Sequence, residues 1–87
     1  MYRIYATSTC AVCKVAAKYL EERDIPYEYK LIDKDIEAKN ELFEHEPNVR
    51  LVPWIFKVNF VDGLEIMKPI GSFQSLKEYL EGQFVST

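Results

Sequence analysis

The stretch from Tyr2 to Ile32 constrains the fold more than any other part of this chain. Tyr2-Arg3-Ile4-Tyr5-Ala6 alternates large apolar and other side chains and is rich in strand formers. Thr7-Ser8-Thr9 follows as a loop with helix-capping chemistry. Val12, Val15, Ala16, Tyr19 and Leu20 then recur at the spacing of an amphipathic helix. That helix is predicted to end near Asp24, because Pro26 biases the residue before it away from helical backbone. A second strand is predicted from about Tyr27 to Ile32. Two strands joined through a helix are parallel neighbours, connected by a right-handed crossover.

Asp33 or Asp35 can cap a second helix that runs to about Glu46 and stops before Pro47. Its apolar face is thin, with Ile36, Leu42 and Phe43 as main members. Residues Leu51 to Val58 read as a buried strand that begins at a proline. Asp62-Gly63 is a hairpin signal, and Leu64-Glu65-Ile66-Met67 is its returning strand. After Gly71, Ser72 can cap a third helix striped by Phe73, Leu76, Leu80 and Phe84. The order β-α-β-α-β-β-α predicts an α/β fold, a mixed four-stranded sheet flanked by three helices, and 87 residues leave room for one domain.

Composition narrows the class. A chain this short buries a modest core, which 48% hydrophobic residues can fill. Charged residues at 29%, and apolar runs far below the roughly twenty of a spanning helix, argue against disorder and against a membrane partner. The net charge of −3 and the scatter of Lys and Arg from Arg3 to Lys77 argue against nucleic acid. With no basic leader ahead of an apolar block, the expectation is a soluble cytoplasmic monomer.

Both cysteines lie in Cys10-Ala11-Val12-Cys13. A stapled secreted domain spreads four or more cysteines along its length, and bridging so tiny a loop removes little chain entropy. Use of the pair is therefore chemical. Cys10 falls at the junction of strand and helix, where unpaired N–H groups and the positive end of the helix dipole stabilise a thiolate. Lys14 adds a nearby cation. Cys13 lies one turn on and deeper, so Cys10 is the expected nucleophile and Cys13 the resolving thiol. Two competing readings are a half zinc site and a pair of inert core cysteines. Zinc needs two further ligands, and His45, to which no role is assigned, is the single histidine, so no metal is expected. Cys-x-x-Cys beside a βαβ pattern favours the redox reading.

Three segments, in order and spacing, resemble the glutaredoxins of the thioredoxin superfamily, in particular the short ones of bacteria and their phages. Tyr5-Ala6-Thr7-Ser8-Thr9-Cys10-Ala11-Val12-Cys13 is similar to the family's strand, loop and Cys-x-x-Cys. Arg50-Leu51-Val52-Pro53-Trp54-Ile55-Phe56 is similar to its Thr-Val-Pro segment. Ile70-Gly71-Ser72-Phe73-Gln74-Ser75-Leu76 is similar to its Gly-Gly-x-Asp-Asp-Leu segment. The resemblance implies a thioredoxin-like fold and a dithiol glutaredoxin. Such a protein carries no bound cofactor and takes electrons from glutathione as reducing co-substrate. It would reduce glutathione mixed disulfides or disulfide-containing client proteins, with ribonucleotide reductase as one suggested client. The resemblance also implies a cis peptide bond before Pro53 and pairing of the Val52 backbone with glutathione in the manner of an added strand. Gly71 and Ser72, with Phe73 and Gln74, would receive the γ-glutamyl end at a helix N-terminus.

The departures from the family pattern are specific. Ala11-Val12 replaces Pro-Tyr, Leu51 replaces the threonine, and Gln74-Ser75 replaces the acidic pair. Thr7 stands where many members have a lysine that faces the glycine carboxylate of glutathione, and Arg50 is the candidate replacement for that cation. Two rival functions follow from these differences. One is an electron carrier of the same shape reduced by thioredoxin reductase. The other is an iron–sulfur carrier in which Cys10 and an external glutathione hold a cluster shared by two chains.

Overall fold

The computed structural model describes residues 1–84, apart from the side chains of Gln83 and Phe84. Its elements are β1 (Tyr2–Ala6), α1 (Ala11–Glu21), β2 (Tyr27–Leu31), α2 (Ile36–His45), β3 (Trp54–Val61), β4 (Leu64–Gly71) and α3 (Phe73–Phe84). One four-stranded sheet has the order β2-β1-β3-β4. β1 runs parallel to β2, with Tyr2 opposite Tyr27 and Ala6 opposite Leu31, and antiparallel to β3. β3 and β4 form the antiparallel hairpin. This is the mixed four-stranded α/β sheet expected from the element order, in the thioredoxin-like form that the family resemblance implied.

All five residues of β1 are buried, because this strand is central and helices cover both its faces. Tyr2, Ile4 and Ala6 point into a cluster with Cys13, Ala16, Ala17 and Leu20 of α1 and Leu76 and Leu80 of α3. Tyr5 points the other way, to Leu42 of α2 and Phe56 of β3. The period-2 alternation of the strand thus becomes two cores on opposite faces.

Several expectations need correction. Val12 and Val15 were placed in the buried stripe of α1, yet they are 51% and 52% exposed. The face turned to the sheet is Cys13, Ala16, Ala17 and Leu20. Cys13 packs in that face, and the two alanines let the helix sit close to the strands. α1 ends at Glu21, before the expected Asp24. Asp24 takes a left-handed φ of 56°, and the Ile25 N–H donates to Leu20 O at 3.0 Å in a Schellman-type closure. Ile36, expected on the apolar face of α2, is 65% exposed, and Ala38 joins Leu42 in the buried set. A residue six positions before Leu42 points about 120° away from it on a helix.

β3 starts at Trp54 and not at Leu51, which is exposed, since Pro53 has no N–H to give the ladder. β4 continues past the expected Met67 to Gly71, through Pro69, which an edge strand tolerates. Asp62 and Gly63 have φ of 52° and 79°, the paired positive values of a type I′ hairpin turn. Asp35, and not Asp33, caps α2, with its carboxylate accepting from the N–H groups of Glu37 and Ala38 at 3.0 and 3.3 Å. Ser72 caps α3 by accepting from the Ser75 N–H at 3.3 Å. The expected place of the Phe84 side chain on the α3 stripe lies outside what the structure describes. Among the described residues, no helix is long and apolar enough to cross a membrane.

Candidate active site

Cys10 is the N-cap of α1, with extended backbone (φ −89°, ψ 107°). It forms a disulfide with Cys13 across a Cα–Cα distance of 5.3 Å. The Cys13 N–H donates to the Cys10 sulfur at 3.1 Å, so a first-turn amide of the helix already points at the atom that would carry thiolate charge. Cys10 is partly exposed, whereas Cys13 is fully buried in the cluster with Ile4, Ala6 and Leu76. The arrangement separates the two sulfurs by access. An incoming disulfide can reach Cys10 alone, and Cys13 can reach only Cys10.

The chemistry follows. In the reduced pair, a Cys10 thiolate could attack one sulfur of a substrate disulfide, the other sulfur leaving as a thiolate. Cys13 could then give up its proton and attack the Cys10 sulfur, restoring the Cys10–Cys13 bond and expelling the second substrate sulfur as a thiolate that takes up a proton. Two electrons would pass from the cysteine pair to the substrate.

Around this pair the structure gathers some of the predicted substrate-binding residues and separates others. The Val52–Pro53 peptide bond is cis, as the resemblance implied. Val52 and Phe73 pack on the same cluster as Cys10 and Cys13. Thr7, Arg50 and Val52 line one cavity of about 250 Å³ with Ile32, Phe43, Val49 and Leu51. A neighbouring cavity of about 330 Å³ shares Val49, Arg50 and Leu51 and is also lined by Trp54. The indole N–H of Trp54 is buried with no partner among the described residues. Phe73 is partly buried, edge-to-face with Tyr19 at 5.5 Å. Gln74 is exposed, and its amide donates to Glu78 one turn along at 3.2 Å. A further groove of about 460 Å³ lies between α1 and β2, lined by Lys14, Ala17, Lys18, Glu21, Tyr27 and Tyr29 and by none of Thr7, Arg50 and Val52.

Gly71 proves to be the last residue of β4, paired with Ile55, with φ of 114°. A Cβ there would lie 3.1 Å from Ser75 Oγ and 3.3 Å from Ser75 Cβ. Gly71→Ala combines unfavourable backbone with that crowding, so a loss of about 2–3 kcal/mol is expected. Thermal unfolding checks this as a fall of roughly 10–20 °C in Tm. A shift of only one or two degrees would mean that the β4–α3 junction adjusts freely.

One contact was missed in the sequence. Asp33, considered there only as a helix cap, reaches the loop before Cys10 and accepts hydrogen bonds from Ser8. The Ser8 hydroxyl is the main cause that holds the Asp33 carboxyl below the usual carboxylate range. Arg3, also unassigned, is buried on the opposite face of the sheet among Glu28, Glu41 and Glu65.

Solved structures similar to this one include a buckwheat glutaredoxin–glutathione complex, with a TM-score of 0.65, 19% identity, and 94% of this chain and 70% of that one covered. The holo form of glutaredoxin C1 from Populus tremula x tremuloides gives 0.64 at 17% identity, covering 93% and 74%. The thioredoxin-like protein BC3987 gives 0.62 at 21% identity, covering 92% and 97%. At these identities the likeness shows the fold. No curated protein matches the sequence. The sequence profile of the Glutaredoxin family matches residues 3–63. That span takes in the cysteine pair, the cis proline and the whole of β3, and this chain belongs to the glutaredoxin family of thiol–disulfide oxidoreductases.

Proposed function

We propose that this chain is a dithiol glutaredoxin that reduces protein disulfides or glutathione mixed disulfides, with glutathione as its reducing co-substrate. The observation that carries this reading is the cavity shared by Thr7, Arg50 and Val52, set beside the loop that leads to Cys10. Arg50 is exposed at its rim, where a guanidinium can take a carboxylate with two parallel hydrogen bonds. The Val52 backbone can extend the ligand's own peptide groups. At the other end, the capped N-terminus of α3 at Ser72 suits a second carboxylate. The buckwheat neighbour was solved with glutathione, which supports the same ligand class here. Its clients would be disulfide-containing proteins, ribonucleotide reductase among the candidates, and it would act as a cytoplasmic monomer without a bound cofactor.

A specific observation favours the rival electron donor. Thr7 brings no cation to the cavity, and the Gln74 amide is turned onto its own helix. The deciding experiment follows NADPH oxidation with a glutathione mixed disulfide as substrate. One arm contains glutathione and glutathione reductase, and the other contains thioredoxin reductase. Turnover in the first arm is expected. Arg50→Ala should raise KM there by about tenfold or more, the loss of one charge-assisted hydrogen-bond pair, with kcat little changed. Turnover in the second arm alone would overturn the glutathione reading.

A further inference from the structure

The last rung between β1 and the chain leaving β2 is the Ile32 N–H donating to Ala6 O at 2.8 Å. Beyond it the two segments diverge, and the residues from Thr7 to Thr9 must carry the chain to the head of α1 with no strand beside them. The Cys10 N–H closes this turn by donating to Thr7 O at 3.3 Å. Asp33 reaches across the gap. Its two carboxylate oxygens accept from the Ser8 N–H at 3.0 and 3.1 Å, and Oδ2 also accepts from the Ser8 hydroxyl at 2.5 Å.

We propose that Asp33 is a positioning residue for disulfide exchange: by clamping Ser8 it fixes the turn from Thr7 to Thr9, and so sets where the Cys10 sulfur stands at the N-terminus of α1. The route is short, from the Asp33 carboxylate to Ser8 and through the closed turn to the Cys10 backbone. Asp33 is spare for this task, because Asp35 already caps α2. The clamp holds Ser8 at two points, the N–H and the hydroxyl, and the hydroxyl bond is the main cause that keeps the Asp33 carboxyl below the usual carboxylate range. Asp33 is also exposed, so its bonds to Ser8 add little to global stability. A residue with strong local contacts and small global weight shows itself in the rate of the step it positions, not in Tm.

The attack needs the Cys10 sulfur in line with the substrate S–S bond, where a displacement of about 1 Å can cost up to about a hundredfold. The inference rests on the thiol–disulfide exchange chemistry and not on glutathione, so its test omits glutathione. Pre-reduced protein is mixed with hydroxyethyl disulfide, a small aliphatic disulfide, and a single turnover is followed by acid quench and mass analysis. Asp33→Ala is expected to slow the attack about tenfold, while Tm falls by no more than a few degrees. Asp33→Asn, which keeps an acceptor oxygen for the Ser8 N–H, should recover most of the rate. An Asp33→Ala protein that attacks at the parent rate, whatever its Tm, overturns the proposal. So does an Asp33→Asn protein as slow as Asp33→Ala, since charge and not the clamped turn would then be the cause. If Asp33→Ala does not remain folded at 25 °C, Ser8→Ala removes the hydroxyl contact alone. A slowing of about threefold is expected from that variant, and a parent-like rate overturns the proposal equally.

Discussion

Cys10→Ser will remove every disulfide-reducing activity of this chain, while Cys13→Ser will keep the step that needs one thiol. The asymmetry comes from access. Cys10 caps α1 and is partly exposed, so it alone can meet a substrate sulfur. Serine at that position leaves no thiolate to attack, and the loss should reach several orders of magnitude. Cys13 has no exposed surface, so in Cys10→Ser it cannot substitute for the missing nucleophile. In Cys13→Ser the first attack proceeds, but nothing within the protein releases the mixed disulfide. A covalent adduct with a protein substrate should therefore accumulate and appear on a non-reducing gel, to be cleared by added thiol. Deglutathionylation, which ends with attack by an external thiol, should persist in this variant. An adduct that forms through Cys13 in Cys10→Ser would reverse the assignment. Two variants equally inactive toward a glutathione mixed disulfide would retain the dithiol reaction and remove the monothiol step from it.

The parts of the site legible in the sequence were those fixed by local chemistry. A Cys-x-x-Cys between a strand and a helix stripe can only stand at a helix N-terminus. Asp62-Gly63 specifies its own turn, and Ser72 its own cap. The parts that were not legible depend on what an element meets in space. Hydropathy ranks valine above alanine, so the stripe through Val12 and Val15 looked like the buried face of α1. The sheet takes Ala16 and Leu20 of that stripe, but Cys13 and Ala17 in place of the two valines, since small side chains permit close approach. Asp33 sits where a cap was expected, but its partner Ser8 is 25 residues away, and no local spacing announces that contact. Thr7, Arg50 and Val52 belong to two distant segments, and only the family resemblance put them together before the fold did. Alternation along β1 says that Arg3 opposes Ile4, but not that glutamates from three other elements surround it.

That arginine carries an expected effect on stability as large as that of Gly71→Ala. Arg3 is buried, and its guanidinium pairs with Glu28 of β2 at 2.7 Å, Glu41 of α2 at 3.3 Å and Glu65 of β4. Tyr5 donates its hydroxyl to Glu41, and Lys30 pairs with the same carboxylate at 3.3 Å. One side chain of the central strand thus ties both outer strands and a helix to the sheet. Arg3→Met keeps much of the apolar stem and removes the cation, leaving three carboxylates facing one another. Removing one partner of a buried pair costs about 3–5 kcal/mol, but these glutamates are 33–40% exposed and can turn toward water, so about 2–3 kcal/mol is expected. For a domain of this size that is a fall of roughly 10–20 °C in Tm. The pH dependence identifies the cause. Burial pushes the Glu41 carboxyl up, but the Tyr5 hydroxyl, then Lys30 and Arg3, outweigh it and hold the group below the usual carboxylate range. A carboxyl lowered in the folded state stabilises the protein above its unfolded pKa, about 4.3, and that contribution is lost as pH falls through the folded value. Acidification also neutralises the carboxylates that Arg3→Met leaves without their cation. Urea unfolding from pH 7 down to pH 3 should therefore show the parent weakening and the gap to Arg3→Met closing. A gap that stays constant over that range would assign the loss to the packing of the arginine stem and not to its charge.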